Sequence, residues 1–250
     1  MAGAIYPSLK GKTVFISGGA AGIGEGFVKA FHAQGAHVAF VDLLQDKGAA
    51  LARELGGKIW FKACNVTDTP AYQAAIGEAA KALGPITVLI NNAAHDERHK
   101  LEDVTPEYWD KRIAINIKHQ FFAVQAVAPM MKEAKTGSII NLGSTSWKIG
   151  QGGMAAYTAS KSGISGLTRS FARDLGPYNI RCNTLLPGWI MTERQIKLWL
   201  TPENDKKREE SQCLPRRLQP EDVAKVALFL AADDSAACTN QEFIVDGGWV

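Results

Sequence analysis

The stretch Ser17–Asp42, SGGAAGIGEGFVKAFHAQGAHVAFVD, constrains the fold most. Glycines at 18, 19, 22 and 24 stand between an apolar run, Thr13–Ser17, and a helical pattern, Gly24–Gln34, and the next apolar run ends on the carboxylate of Asp42. Glycines between a strand and a helix let the backbone turn tightly and approach an anion, whose charge the helix N-terminus stabilises. The order is Gly18-x-x-x-Gly22-x-Gly24, which differs from the usual G-x-G-x-x-G. A carboxylate closing the second strand can bind both hydroxyls of an adenosine ribose. It would repel a 2′-phosphate, and no arginine lies in the loop or beside Leu43 to offset that, so the pattern favours NAD over NADP. Reading the glycines as turn residues only would leave the order strand, loop, helix, strand, acid as a coincidence.

The same alternation continues along the chain. Short apolar runs at 13–17, 37–41, 59–63, 88–91, 138–142, 180–185 and 242–245 are separated by amphipathic segments at 24–34, 46–55, 70–83, 106–132, 156–175 and 220–231. Asp68 or Thr69 before Pro70, Thr105 before Pro106, and Gly35, Gly84 and Gly176 after helical stretches mark the boundaries. Strands buried on both faces read as continuous apolar runs, and β-α alternation implies a parallel sheet. The expected architecture is α/β: a single-domain, doubly wound Rossmann fold over residues 1–250, with a seven-stranded parallel sheet and helices on both faces. The long stretch at about 189–217, between strand and helix, has the length of a lid over a site at the sheet edge.

Composition narrows the functional classes. Net charge is +3, and the longest basic block is Lys206-Lys207-Arg208, too weak to imply nucleic-acid binding. The cysteines at 64, 182, 213 and 238 include no C-x-x-C, and a core of this size needs no disulfides, so reduced thiols and a cytoplasmic location are expected. MAGAIYPSLKGK does not read as a signal peptide, and no apolar run reaches a membrane span. His95 and His99 stand four apart, but Asp96 occupies the place where a zinc-protease helix carries Glu, so no metal site is expected.

The chemistry-bearing residues lie further on. Tyr157 and Lys161, in YTASK, are one helical turn apart and share a face. The spacing alone is weak, since Tyr6 and Lys10 repeat it before the first strand. Context strengthens it: Ser144 follows the run SIINL, NNAA (91–94) ends another strand, Asn116 interrupts an apolar helix, and LLPGWIMT (185–192) ends a sixth strand. Ligands in open α/β sheets collect at the carboxyl ends of strands, so these segments converge on one edge. A free tyrosine titrates near pH ~10. An ammonium ~4 Å away at an effective dielectric of ~20 would favour the phenolate by about 4 kcal/mol, roughly three pKa units.

Together, SGGAAGIG, Asp42, NNAA, Asn116, Ser144, YTASK, PGWIMT and the terminal DGG resemble the short-chain dehydrogenase/reductase family from about residue 10 to the end. The resemblance implies that Tyr157 is the acid/base, that Lys161 supports it electrostatically and binds the nicotinamide ribose, that Ser144 orients the substrate oxygen, and that Asn116 holds a water of the proton relay. It also implies cofactor contacts from Gly18, Gly22, Ile23, Gly24, Asp42, Asn65, Val66, Asn92, Tyr157, Lys161, Pro187, Ile190 and Thr192. Three positions depart from the family pattern: Asn65 stands where Asp is common, Ala94 replaces the last glycine of N-N-A-G, and Ser17 replaces Thr. None removes the catalytic set. A homotetramer is the assembly that the resemblance implies.

The loops expected on the substrate side, 94–105, 144–153 and 189–217, mix polar side chains with tryptophans, which suits a small polyhydroxylated ligand better than a steroid or acyl chain. His95, Ser144, Ser146, Trp147, Tyr157, Trp189 and Arg194 are the expected substrate contacts. AIYPSLKGK, DERHKLEDVT, STSWKIG, ERQIKLWLTPE and FLAADDSAACT resemble bacterial aldose 1-dehydrogenases, the D-xylose type in particular. That implies NAD-linked oxidation of a sugar (a pentose such as D-xylose or L-arabinose, or a 6-deoxyhexose) at the anomeric carbon to an aldonolactone. Two alternatives stay open: another alcohol dehydrogenase or 3-oxoacyl reductase of the family, and a non-catalytic dinucleotide-binding regulator.

Overall fold

The computed structural model describes residues 3–250. The apolar runs form β1 (Thr13–Ser17), β2 (His37–Asp42), β3 (Ile59–Ala63), β4 (Ile86–Asn91), β5 (Gly137–Leu142), β6 (Ile180–Pro187) and β7 (Glu242–Val245). They make one seven-stranded sheet in the order β3-β2-β1-β4-β5-β6-β7, with every pairing parallel. Strands β1 and β5 are buried along their whole length, which explains their unbroken apolar character. β4 begins at Ile86, earlier than the expected Val88, because Thr13 pairs with Ile86 and Val14 with Val88 across a local irregularity.

The intervening helices are α1 (Gly22–Ala33), α2 (Gln45–Leu55), α3 (Thr69–Leu83), α4 (Pro106–Ile113), α5 (His119–Ala134), α6 (Ala155–Leu175), α7 (Glu193–Trp199), α8 (Pro202–Ser211) and α9 (Pro220–Ala231). Side chains alternate across the sheet and feed two cores. On one face Val14, Ile16 and Ile90 pack with Phe27 and Phe31 of α1, Leu51 of α2 and Val223 of α9. On the other, Phe15 and Leu89 pack with Tyr72 and Ile76 of α3, Val124 and Val127 of α5 and Phe171 of α6. Helix starts follow the residues that mark them: Asp68 Oδ1 accepts the Ala71 N–H at 3.1 Å, and Thr105 Oγ1 accepts the Tyr108 N–H at 3.2 Å.

The sequence pattern implied one helix over 106–132, and the structure corrects this. A π-helical turn at 114–118 separates α4 from α5 and places Asn116 at its centre, fully buried. One extra residue in a turn rotates a side chain off the helical stripe, and such turns recur at functional sites. The stretch 189–217 holds two helices, α7 and α8, where sequence showed a long connection. No helix among the described residues is long and apolar enough to cross a membrane.

Strand order positions the site. Sequence-consecutive connections run outward from β1 in one direction and from β4 in the other, so the loops after β1 and β4 diverge and leave a crevice at the carboxyl edge. Its floor is stitched together by side chains. Ser17 Oγ accepts the backbone N–H of Asn92 at 3.0 Å and of Ala93 at 3.1 Å, and Asn91 Nδ2 donates to Asn141 Oδ1 at 2.9 Å across β4 and β5.

Candidate active site

The glycine loop is shaped by close packing. Gly18 has φ +69°, a left-handed conformation that favours glycine, and a Cβ on Gly24 would lie 1.8 Å from the Gly18 carbonyl oxygen. Asn92 braces the turn by donating from Nδ2 to the carbonyls of Ser17 (3.0 Å) and Gly18 (2.9 Å). Ala21, at the N-cap of α1, offers no side-chain hydrogen bond, so the first N–H groups of that helix have no capping side chain. Asp42, at the end of β2, accepts one backbone N–H on each oxygen, Ala20 at 2.9 Å and Leu44 at 3.0 Å. Each oxygen keeps a lone pair for a further donor. An uncapped helix N-terminus behind a side-chain-free cradle, with a carboxylate beside it, fits a dinucleotide: pyrophosphate on the loop and ribose hydroxyls on Asp42. Asn65 is committed locally, its Oδ1 accepting the Thr67 N–H at 3.0 Å and the Thr67 hydroxyl at 2.9 Å. Thr192 caps α7 through the Gln195 N–H at 3.3 Å.

Tyr157, Lys161 and Ser144 line one cavity of about 730 Å³, together with Ile23, Asn92, Pro187, Ile190 and Thr192. Lys161 is 2% exposed and donates from Nζ to the Leu142 carbonyl at 2.7 Å. Its ammonium lies 5.6 Å from the centre of the Tyr157 ring. Burial brings Lys161 down to about 7. Tyr157 is pushed up to about 12, by burial first and then by the charge of Asp96, against the Ser144 hydroxyl and the Arg98 charge, which pull it down. The chain alone therefore does not make this phenol acidic, contrary to the expectation from the Tyr157–Lys161 spacing. Burial and the Asp96 charge outweigh the Ser144 hydrogen bond and the Arg98 charge. Ser144 Oγ accepts the Ser146 N–H at 3.1 Å, and its hydroxyl also faces the Tyr157 phenol.

Asn116 lies beside these residues but holds protein. Its Oδ1 accepts the His95 N–H at 2.8 Å and its Nδ2 donates to the His95 carbonyl at 3.2 Å, pinning the loop after β4. His119, one turn on and 1% exposed, bonds through Nε2 to the Ala93 carbonyl at 2.9 Å. Burial, and then the Lys161 charge, bring His119 down to about 3, so it is neutral at physiological pH.

Of the expected substrate contacts, Ser144, Ser146, Tyr157 and Trp189 line the cavity. His95, Trp147 and Arg194 do not. His95 turns towards Arg112, whose Nη1 lies 2.7 Å from Nδ1 and also binds Glu97 at 2.8 Å. Burial, with the Arg112 and Arg194 charges, holds the His95 imidazole below its usual value. Trp147 carries Lys148 over its ring at 4.3 Å. Arg194 reaches Asp96 instead, at 3.0 Å. Beyond the expected contacts, the cavity wall includes Asp96, Arg98, Gln151, Gln195, Trp199 and Trp249. The first five lie in loops already assigned to the substrate side. Trp249 had no such signal; the turn that carries it is held by Asp246, which accepts the N–H groups of Gly248 (2.8 Å) and Val250 (3.0 Å).

A doubly wound parallel sheet with its crevice between the glycine loop and Asn92 is the architecture of dinucleotide-binding oxidoreductases. Residues 18–250 match the family model described as Enoyl-(Acyl carrier protein) reductase. The chain belongs to the short-chain dehydrogenase/reductase family, oxidoreductases that act on CH–OH groups with a nicotinamide dinucleotide. It is 46% identical to the D-xylose 1-dehydrogenase of Caulobacter vibrioides over 252 residues, covering 100% of both chains. It is 45% identical to the probable galactose dehydrogenase GalD of Rhizobium meliloti, covering 97% of this chain and 96% of that one. It is 37% identical to a 3-alpha-(or 20-beta)-hydroxysteroid dehydrogenase of Mycobacterium tuberculosis, covering 97% and 90%.

Proposed function

We propose that the protein oxidises an aldose at C1 to the aldonolactone, with NAD as hydride acceptor and Tyr157 as proton acceptor. The observation that carries this reading is the single cavity in which Tyr157, Lys161 and Ser144 meet a wall of indoles and hydrogen-bonding side chains (Trp189, Trp199, Asp96, Gln151). Every sugar hydroxyl needs a partner on desolvation, and the C–H faces of the ring suit indole. The names of the relatives at 46% and 45% identity, both sugar dehydrogenases, agree with it. The steroid-named relative at 37% points to a larger apolar ligand, for which a wall holding Asp96 and Gln151 is a poor match.

A bound oxidised nicotinamide supplies the hydride acceptor and a positive charge at the cavity floor. The residues of the chain do the rest. Ser144 donates to the anomeric oxygen and orients it. Tyr157 takes the hydroxyl proton as C1 gives up its hydrogen, so the C–O bond becomes the lactone carbonyl. Lys161 would steady the phenolate and donate to the nicotinamide ribose, while Gly22, Ile23 and Gly24 would hold the pyrophosphate through backbone N–H groups. Asn92, Pro187, Ile190 and Thr192 flank the nicotinamide end, and Asn65 and Val66 the adenine end. Asp42 accepts the ribose hydroxyls and rejects a 2′-phosphate. A homotetramer in the cytoplasm completes the proposal: Trp109 on α4 and Phe121 on α5, 40% and 42% exposed, form part of the apolar surface that subunit contacts would cover.

Reduced-cofactor formation across D-xylose, D-galactose, L-arabinose, L-fucose and D-glucose, each with NAD and NADP, tests this directly, with a hydroxysteroid and a 3-oxoacyl thioester as the other arms. Turnover of at least one aldose with NAD preferred is the expected result. Turnover of the steroid or thioester alone would replace this reading with another alcohol dehydrogenase or 3-oxoacyl reductase of the family.

A further inference from the structure

The last turn of the chain puts an indole into the cavity. Trp249 is half-buried and lines the same space as Tyr157 and Ser144. The turn that carries it is pinned from several sides. Asp246 ties the residues before and after Trp249 to one buried carboxylate, accepting the N–H groups of Gly248 at 2.8 Å and Val250 at 3.0 Å. Gly188, just past β6, stands against it so closely that a Cβ there would lie 2.5 Å from the Asp246 Cβ. The segment after α8 holds it as well. Gln212 Nε2 donates to the Asp246 carbonyl at 3.0 Å, and the Leu214 N–H donates to the Gly247 carbonyl at 2.9 Å. Gln212 is itself fixed by the buried Arg208, whose Nη1 donates to Gln212 Oε1 at 2.9 Å while its Nε holds Asp205 at 2.8 Å.

We propose that Trp249 is a specificity-determining residue, the flat wall against which the sugar ring lies, and that Gln212 is the residue that positions it. The inference rests on the reading of the protein as an aldose dehydrogenase.

Three indoles line the cavity, those of Trp189, Trp199 and Trp249. Two are engaged by protein: the Trp189 N–H donates to Gln195 Oε1 at 3.0 Å, and the Arg98 guanidinium covers the Trp199 ring at 4.9 Å. No hydrogen bond, cation or aromatic ring among the described residues engages Trp249. A sugar ring presents C–H faces between its hydroxyls, and an indole covers such a face while Asp96 and Gln151 are there for the hydroxyls. Chain ends ordinarily fray unless tied down. Here a carboxylate, an amide and a guanidinium, all buried, hold the end in one geometry. A wall that cannot retreat reads the size of what lies before it, and one extra carbon in such a pocket changes kcat/KM by roughly 10- to 200-fold.

The test uses two sugar pairs, D-xylose with D-glucose and L-arabinose with D-galactose, in which the hexose adds only a hydroxymethyl group on C5. kcat and KM with NAD are measured for the full-length wild type, Trp249→Phe, Trp249→Ala, Gln212→Ala and the double variant of the last two, beside a fluorescence titration with NADH. Trp249→Ala should raise the pentose KM by about tenfold or more, with kcat within about threefold and NADH affinity within about twofold of wild type. It should also raise the hexose-to-pentose ratio of kcat/KM by about tenfold, because the missing indole leaves room for the added group. Trp249→Phe keeps a flat face and should hold the pentose KM within about threefold. Gln212→Ala should raise the pentose KM in the wild type yet change it by less than about twofold in the Trp249→Ala background, since it acts through the indole. Aldose turnover with pentose KM and hexose-to-pentose ratio unmoved in Trp249→Ala would overturn the inference and leave the sugar reading standing. An equal effect of Gln212→Ala in both backgrounds would remove its positioning role. A wild type that oxidises no aldose removes the sugar reading, and this inference with it.

Discussion

Desolvation sets the charge states around the cavity. Lys161, buried with a single carbonyl partner, is brought to about 7, and Tyr157 to about 12. A phenolate raises the proton affinity of a nearby amine, and an ammonium lowers that of the phenol. Ionisation of Tyr157 is therefore favoured when Lys161 becomes fully charged at the same time, and a further positive charge at the cavity floor acts in the same sense. In the proposed reading, Asp42 would set cofactor choice by the same physics. Its two oxygens are held by Ala20 and Leu44, so the carboxylate is fixed and ready for ribose hydroxyls without losing side-chain entropy on binding. Asp42→Ala should raise the KM for NAD and increase the ratio of NADP to NAD kcat/KM by tenfold or more, because like-charge repulsion is removed together with the acceptors. An unchanged ratio in initial-rate assays would count against the ribose role.

At the scale of elements, the π-helical turn at 114–118 does the positioning. It breaks the helical stripe so that Asn116 faces the loop after β4 and holds the His95 backbone by both ends of its amide. That loop carries Asp96 and Arg98 into the cavity wall. Asn116→Ala should lower kcat/KM by about 10²-fold, as small misplacements at a reacting centre do, while the dissociation constant for reduced cofactor stays within about twofold of wild type. A parallel loss of cofactor affinity, measured by fluorescence titration, would show that the turn supports the nucleotide end instead. Most elements were legible in the sequence for physical reasons. Strands buried on both faces leave unbroken apolar runs, and Asp68, Thr105, Gly35 and Gly84 mark helix ends because orphaned backbone groups need those residues. The π turn was not legible, since Ile113, Ile115 and Ile117 keep an apolar pattern that does not show an inserted residue. Inside the 189–217 stretch only the charged run 205–210 read as a solvated helix face, and it lies in α8; α7 was not legible, nor was the buried anchor of α8, a charge, Arg208, bonded to Asp205 (2.8 Å) and Gln212 (2.9 Å). In the candidate site, motif residues expected at strand ends do meet in one cavity, whereas His95, Trp147 and Arg194 lie in the loops around it without lining it. Loop residues follow no period, so which way each side chain turns depends on partners such as Arg112 and Asp96.

At the scale of the molecule, parallel topology brings distant segments to one edge. The loops after β1, β4, β5 and β6, which begin as far apart along the chain as Gly18 and Gly188, meet because every strand points the same way and the connections diverge between β1 and β4. Two cores on opposite faces of the sheet hold that edge rigid, while α7, with no buried side chain, covers it through polar contacts. Rigid floor and polar-held cover suit a reaction in which a hydride leaves a sugar carbon and a proton leaves its hydroxyl oxygen in a space closed to water. The central claim is that Tyr157 accepts that proton, and the most direct measurement is aldose-dependent NADH formation by Tyr157→Phe beside a fluorescence titration of the same variant with NADH. The account predicts turnover reduced by at least about 10³-fold with NADH affinity within about twofold of wild type. Turnover within tenfold of wild type at intact NADH affinity would contradict it.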